Sequence, residues 1–293
     1  MALPTNNAMP PPGNLADSPT IKRAGLASGI TLEYAQQGKT DGVPVIFLHG
    51  GTDSWRSFER VLSYLPESIR AFALSQRGHG DSDRPDDGYT IPRMAADVAE
   101  FMDAVGLSSA VLVGHSMGSL VTQRFAIDYG ERTTAMILAS ATPSMVGNEP
   151  VGELAAALET IGDPIPYELA REFQESTLAQ PIPQDFLETA IDECRKPPVR
   201  VWRAACAGIL EFDVSSELGQ VTAPTLVIHG EQDTFMTRTH HDAVVRAIRG
   251  ARLCIYEGAG HAMHWEEPSR FAADVVALVD RVAPKKARWG GGV

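Results

Sequence analysis

Within the stretch Ala110 to Ala126, AVLVGHSMGSLVTQRFA, Ser116 stands inside Gly-x-Ser-x-Gly. A serine hydroxyl raised on a sharp strand-to-helix turn can attack a carbonyl carbon, and the local pattern supplies that turn. Val111, Leu112 and Val113 read as the end of a buried parallel strand, while Leu120, Val121, Phe125 and Tyr129 recur at the spacing of a helix face. Gly114 and Gly118 suit a turn too tight for a Cβ at those positions. A helix starting at Met117 sets free N–H groups and its positive dipole end beside the hydroxyl, so an anion formed there is stabilised. A serine that merely capped the helix would leave the glycine pair and the strand–turn–helix setting without a purpose.

Serine alone has no useful nucleophilicity near neutral pH and needs a base, which in turn needs a group to orient it. His261 lies in ARLCIYEGAGHAMHWEEP, after an apolar strand and a glycine-rich loop, which puts an imidazole at a strand end. Asp233 lies in APTLVIHGEQDTFMT, after the apolar run Thr225 to Ile228, where its carboxylate can hold that imidazole. Each has a rival, Glu231 for the acid and His264 for the base. Only His261 follows the Gly-x-Gly, and His264 reads as a packing or supporting residue. His240 and His241 are adjacent, point different ways on a helix, and read as surface residues rather than a metal site. His49 reads as steadying its own loop.

The order Ser, Asp, His is that of the α/β-hydrolases, distinct from the chymotrypsin and subtilisin orders. From about Ile21 to about Val282 the chain resembles the α/β-hydrolase family, in its serine hydrolase branch with a helical cap. His49-Gly50-Gly51 after the strand Val43 to Leu48 matches the family's His-Gly loop, and Arg77 to Ser82 with Pro85 matches the turn after the next strand. Gly230 to Asp233 matches its acid loop, and Gly258 to His261 with Glu267-Pro268 its histidine loop. Some members carry the acid after the sixth strand, but here Ala135 to Ser140 leads into ATPS, which has no carboxylate. The resemblance implies an oxyanion hole made by the backbone N–H groups of Met117 and Gly51. It also implies an α/β fold, a mostly parallel sheet of about eight strands flanked by helices, with a helical cap inserted after strand six.

Composition sets limits. The chain has 293 residues, 44% of them hydrophobic, enough for one α/β domain with a large core plus an insertion. The formal net charge is −12 and the isoelectric point about 5.1; with no basic block, nucleic acid is not an expected partner, and a small molecule is. Cys194, Cys206 and Cys254 are odd in number and form no Cys-x-x-Cys, which suits free thiols in the cytoplasm. No window approaches the roughly 18 consecutive apolar residues of a membrane span. No cofactor and no metal are expected.

Residues 1–20, rich in proline and asparagine and without signal-peptide shape, read as a flexible arm, and 284–293 as a frayed tail. The hydrolase core is expected over 21–140 and 222–283. Leu26 to Gln36, with Ser28-Gly29 as a turn, suggests an antiparallel hairpin. Parallel strands follow at Val43 to Leu48, Ile69 to Leu74, Ala110 to Val113, Ala135 to Ser140, Thr225 to Ile228 and Arg252 to Tyr256. Thr90 to Val105 reads as a helix capped by Thr90 and ended by Gly106. The alternation breaks over 141–221, where Gly152 to Ile161, Tyr167 to Leu178, Gln184 to Cys194 and Val199 to Leu210 read as helices punctuated by prolines.

Cap residues Met145, Leu158, Phe173, Phe186, Trp202 and Ile209 are mostly apolar, which favours a largely apolar acyl or alcohol group; Trp55 and Trp265 near the two loops are further candidates. Each of these side chains also serves simply to pack the cap. The expected function is cleavage of a carboxylic ester or lactone through an acyl-enzyme on Ser116, His261 and Asp233. Carbon–carbon bond hydrolysis, amide hydrolysis and perhydrolysis use the same triad, and a receptor with slow residual hydrolysis is the alternative of another class. Dehalogenation and epoxide opening need a carboxylate where Ser116 stands, and the paired cap tyrosines of epoxide hydrolases are missing, Tyr167 being the only one there.

Overall fold

In the computed structural model, residues 15–283 are described; the expected arm up to residue 14 and the expected tail 284–293 lie outside them. The strands are β1 (Thr20–Gly25), β2 (Thr31–Gln37), β3 (Val43–Leu48), β4 (Ile69–Leu74), β5 (Ala110–His115), β6 (Thr133–Ala139), β7 (Thr225–Gly230) and β8 (Arg252–Tyr256). They form one sheet in the order β1-β2-β4-β3-β5-β6-β7-β8. β2 is antiparallel to both β1 and β4, and every other pairing is parallel. The helices are α1 (Glu59–Leu62), α2 (Ile91–Ala104), α3 (Met117–Asp128), α4 (Glu149–Leu158), α5 (Tyr167–Ser176), α6 (Gln184–Arg195), α7 (Val199–Leu210), α8 (Arg238–Ala247), α9 (Met263–Glu266) and α10 (Pro268–Val282).

The central strands β3 and β5 are buried along most of their length because helices cover both faces of the sheet, whereas the edge strand β1, TIKRAG, is mostly exposed. Ile46 and Leu48 of β3 pack with Met94 and Phe101 of α2 and Leu120 of α3. Val45 and Phe47 of the same strand pack on the other side, with Val61 of α1 and Phe271 and Val275 of α10. Each such buried side chain contributes about 1.5–3 kcal/mol. The helices α4 to α7 have an apolar centre of their own, including Leu158, Ile191, Val199 and Trp202.

Several boundaries differ from the sequence expectation, each for a local reason. The turn falls at Ser28-Gly29, where Gly29 has φ +88°, but its first strand runs earlier, from Thr20 within the segment read as an arm. Leu15 bridges to Pro66 at the sheet's flank. β6 stops at Ala139 because Ser140 turns to φ +51°. α4 begins at Glu149, three residues before the expected start, because the Asn148 side chain accepts the Val151 N–H and Pro150 fits the first turn. α2 is capped by Thr90 as its sequence suggests, and Gly106 follows its end at φ +72°. Among the described residues no helix is long and apolar enough to cross a membrane.

Candidate active site

The C-terminal ends of the parallel strands form one edge, and the candidate residues sit on loops leaving it. Ser116 follows β5 directly, with φ +50° and ψ −118°. That conformation costs of order 1–3 kcal/mol. The glycines on either side let it exist: a Cβ on Gly114 would strike the Gly118 carbonyl, and one on Gly118 would strike the Leu48 carbonyl at the end of β3. Ser116 N–H is fastened to Ala139 O at 3.0 Å.

His261 arrives on the loop after β8 and Asp233 on the loop after β7. His261 Nδ1 lies 2.9 Å from Asp233 Oδ1 and 3.0 Å from Oδ2. A carboxylate only accepts, so Nδ1 carries the proton and Nε2 presents its lone pair. Asp233 Oδ1 also accepts the N–H groups of Phe235 and Met236, each at 2.9 Å. Burial alone would raise the Asp233 carboxyl, but the His261 charge and these hydrogen bonds outweigh it and hold the group down at about 2. The rival Glu231 is exposed and accepts Gly258 N–H at 2.9 Å, holding the histidine loop's turn.

Two residues unremarked in the sequence fix the His261 backbone. His115 Nε2 lies 3.0 Å from the His261 carbonyl, and Ser140 Oγ donates to that carbonyl at 2.9 Å. Burial and repulsion from His261 hold His115 down at about 3, so it stays neutral. His264 is fully buried, its ring tilted against that of His115 with centroids 4.3 Å apart, and its Nε2 lies 2.9 Å from Ser57 Oγ. It is a packing residue, as its sequence position suggests.

Gly51 and Met117 both line the cavity that Ser116 faces. Among the described residues, neither N–H has a protein acceptor. His49 orients the first of these loops: its Nδ1 donates to Gly50 O at 2.7 Å and its Nε2 accepts Gln76 N–H at 2.9 Å.

The cap helices α4, α5 and α7 line the cavity of about 60 Å³ that Ser116 faces, through Val151, Phe173, Trp202 and Ile209 among others. Of the sequence candidates, Met145, Phe173, Trp202, Ile209 and Trp265 line it with Ser116 and His261. Three others do not. Trp55 faces inward into the sheet-side core, 4% exposed, with the Arg56 guanidinium 4.7 Å above its ring. Phe186 packs edge-on against Trp265 at 5.6 Å and borders a smaller neighbouring cavity. Leu158 is buried in the cap's own core. Lining residues without a sequence signal include Asp53, Gln174, Thr177, Phe235 and Met236.

The expectation that His240 and His241 are both surface residues holds for His240 alone. His241 is fully buried 4.4 Å from His229, because α8 turns one of two adjacent side chains inward. His229, Asp233 and His241 bring their ligand atoms within 4.8 Å of one another. Yet His241 Nδ1 donates to Thr237 O and its Nε2 accepts Ala141 N–H, both at 3.0 Å, so its lone pair is spent and the trio does not suit a metal. Burial pushes the Cys194 thiol up to about 12 and Cys206 to about 11, which keeps both un-ionised.

Residues 45–274 match the model of the "Alpha/beta hydrolase family". The 2-hydroxy-6-oxo-6-phenylhexa-2,4-dienoate hydrolase of Comamonas testosteroni is 29% identical, over 88% of this chain and 94% of that one. The 3-oxoadipate enol-lactonase 2 of Acinetobacter baylyi is 26% identical over 87% and 95%. Among solved structures, an esterase from Exiguobacterium antarcticum superposes with a TM-score of 0.81 at 24% identity, covering 88% of this chain and 99% of that one. At that identity the superposition speaks for the fold.

Proposed function

As the chain belongs to the alpha/beta hydrolase family, we propose that it hydrolyses the carboxylic ester or lactone of a small, largely apolar molecule through an acyl-enzyme on Ser116. The observation that carries this reading is the His261–Asp233 pair, hydrogen-bonded at 2.9 Å, sharing a strand edge with a serine held at φ +50°. Ser116 Oγ attacks the carbonyl carbon while His261 Nε2 takes its proton; Asp233 stabilises the imidazolium; the Gly51 and Met117 N–H groups bind the oxyanion. His261 returns the proton to the leaving alkoxide, and a water activated by the same nitrogen then cleaves the acyl-enzyme.

The lining distinguishes substrate classes. Relatives named for a dienoate and for an oxoadipate act on carboxylates by those names. Among the described residues no arginine or lysine lines the cavity, and one aspartate does. An anionic substrate would enter without a partner for its charge and beside a like charge, which disfavours the carbon–carbon hydrolase reading. The test is hydrolysis of short nitrophenyl esters and of lactones, with Ser116→Ala alongside. Steady turnover that falls at least about 10³-fold in the variant is expected. Activity surviving Ser116→Ala would overturn the mechanism, and one turnover per binding event would leave a receptor.

A further inference from the structure

Among the described residues one carboxyl lines this cavity, and the triad has no use for it. Asp53 follows Gly51 by two residues and is 6% exposed. Its Oδ1 accepts from Gln174 Nε2 on α5 at 3.1 Å, and its Oδ2 accepts from Ser57 Oγ at 3.2 Å. The Ser57 oxygen accepts in turn from Trp265 Nε1 at 3.0 Å and lies 2.9 Å from His264 Nε2. Burial, and then repulsion from His115 and His261, keep His264 neutral. Every direct partner of Asp53 is therefore uncharged, and a carboxylate has about four lone-pair sites, of which these two bonds occupy two. Beyond Thr52, His115, Ser116, Gln174, Thr177 and His261, the cavity it borders is apolar and aromatic. Phe173 stands edge-on to Trp202 at 5.7 Å and to Phe235 at 6.4 Å, and all three rings line the same space.

We propose that Asp53 and the Phe173–Trp202–Phe235 wall form a subsite for an ammonium group, so that the ester cleaved at Ser116 carries one positive charge. A buried carboxylate with neutral partners recovers its desolvation cost from a cation brought by the ligand, and aromatic faces attract the same cation. The proposal rests on the ester-hydrolase reading and narrows its substrate class. Burial pushes the Asp53 carboxyl up to about 6 against the hydrogen bonds from Gln174 and Ser57 and the field of His261, with Glu193 reinforcing burial. At neutral pH the group is thus mostly ionised, and among the described residues it makes no ion pair: Arg56, which borders a neighbouring cavity with it, pairs with Glu59 and Glu193. The competing account makes Asp53 only a strut between the oxyanion loop and the cap, through Gln174.

Two matched ester pairs test it near neutral pH by titrating released acid: ethyl 3-aminopropanoate against ethyl butanoate, and 2-(dimethylamino)ethyl acetate against isopentyl acetate. Ethyl 3-hydroxypropanoate reports on hydrogen bonding without charge. The expected result is a preference of about tenfold or more in kcat/KM for the ammonium member of one pair, falling to about one in Asp53→Asn, which keeps the side chain's size. Calorimetric titration of Ser116→Ala with propylammonium, propanol and propionate gives a readout independent of hydrolysis, with propylammonium expected to bind tightest and to lose that advantage when Asp53→Asn is added. Ammonium binding that depends on Asp53, without turnover of any ester, would sink the hydrolase reading and keep the subsite. Hydrocarbon esters cleaved as fast as ammonium esters, or slowed by Asp53→Asn in the same proportion, would overturn the subsite and leave the strut. Equal preference for hydroxyl and ammonium esters would overturn the requirement for charge. Should Asp53→Asn not fold, the wild-type ratios and titrations decide alone.

Discussion

Glu266 accepts the N–H of Gly260 through Oε2 at 2.9 Å, one residue before the candidate base. Its other oxygen accepts the N–H groups of Ala179 and Gln180, at 2.6 and 3.0 Å, in the cap segment that follows α5. One carboxylate therefore fastens the histidine loop to the cap. The two backbones meet closely: a Cβ on Gly260 would fall 2.7 Å from both Ala179 N and Thr177 O. In Glu266→Gln an amide NH₂ must face at least one of these N–H donors. The expected cost is about 1–3 kcal/mol in denaturant unfolding. The fall in kcat should exceed what that loss of folded protein explains, because His261 hangs on the released loop. Unchanged kcat in folded Glu266→Gln would show that the fastening does not bear on catalysis.

Asp233 links the triad to acid stability. Its folded carboxyl, at about 2, lies below the ordinary 3.8. A group depressed in the folded state contributes stability that is complete above its unfolded value and disappears as pH falls through its folded value, so the window runs from about 4 down to about 2. The contribution is about 2 kcal/mol at neutral pH. Urea unfolding of the wild type and Asp233→Asn at neutral pH and at the bottom of this window should show their difference shrinking by that amount. Near neutral pH the variant should lose about 10⁴-fold in kcat, through the wrong imidazole tautomer and an unsupported imidazolium. A stability difference that stays constant with pH would mean that the Asp233 charge is not what the fold uses.

What could be read from the chain and what could not divide by sequence distance. Ser116 is legible because its turn is local: strand, two glycines and helix lie within one short stretch, and the β strands announce themselves as apolar runs bounded by turns. Asp53 is not, since its meaning comes from Gln174, a residue 121 positions away on the cap. Trp55 illustrates the converse. Its nearness to Gly51 along the chain suggested the cavity, but its ring turns into the sheet-side core with Phe58 and Val61. Adjacent residues on a helix also part company, as the half-buried His240 and the fully buried His241 do. Periodicity locates a segment's inner face, whereas the identity of what packs there is a tertiary fact.

Gly118 and Gly152 both lie in helices, where alanine is preferred over glycine by about 1 kcal/mol, yet their alanine variants should move stability in opposite directions. Around Gly152 in α4 nothing lies within 4 Å of an added Cβ, so Gly152→Ala should stabilise the fold by up to about 1 kcal/mol. A Cβ on Gly118 meets the Leu48 carbonyl, then His49 O at 2.7 Å, and both belong to backbone that cannot swing aside. Forcing it in should cost about 1–3 kcal/mol net. The displacement falls on the end of β3, which leads straight to Gly51, so the oxyanion donor moves with it. A shift of about 1 Å there suffices for a loss of about 10²-fold in kcat. Thermal unfolding and kcat measured on both variants separate the two effects, and a Gly118→Ala enzyme as active and as stable as the wild type would refute the close packing of α3 on β3 from which the elbow is built.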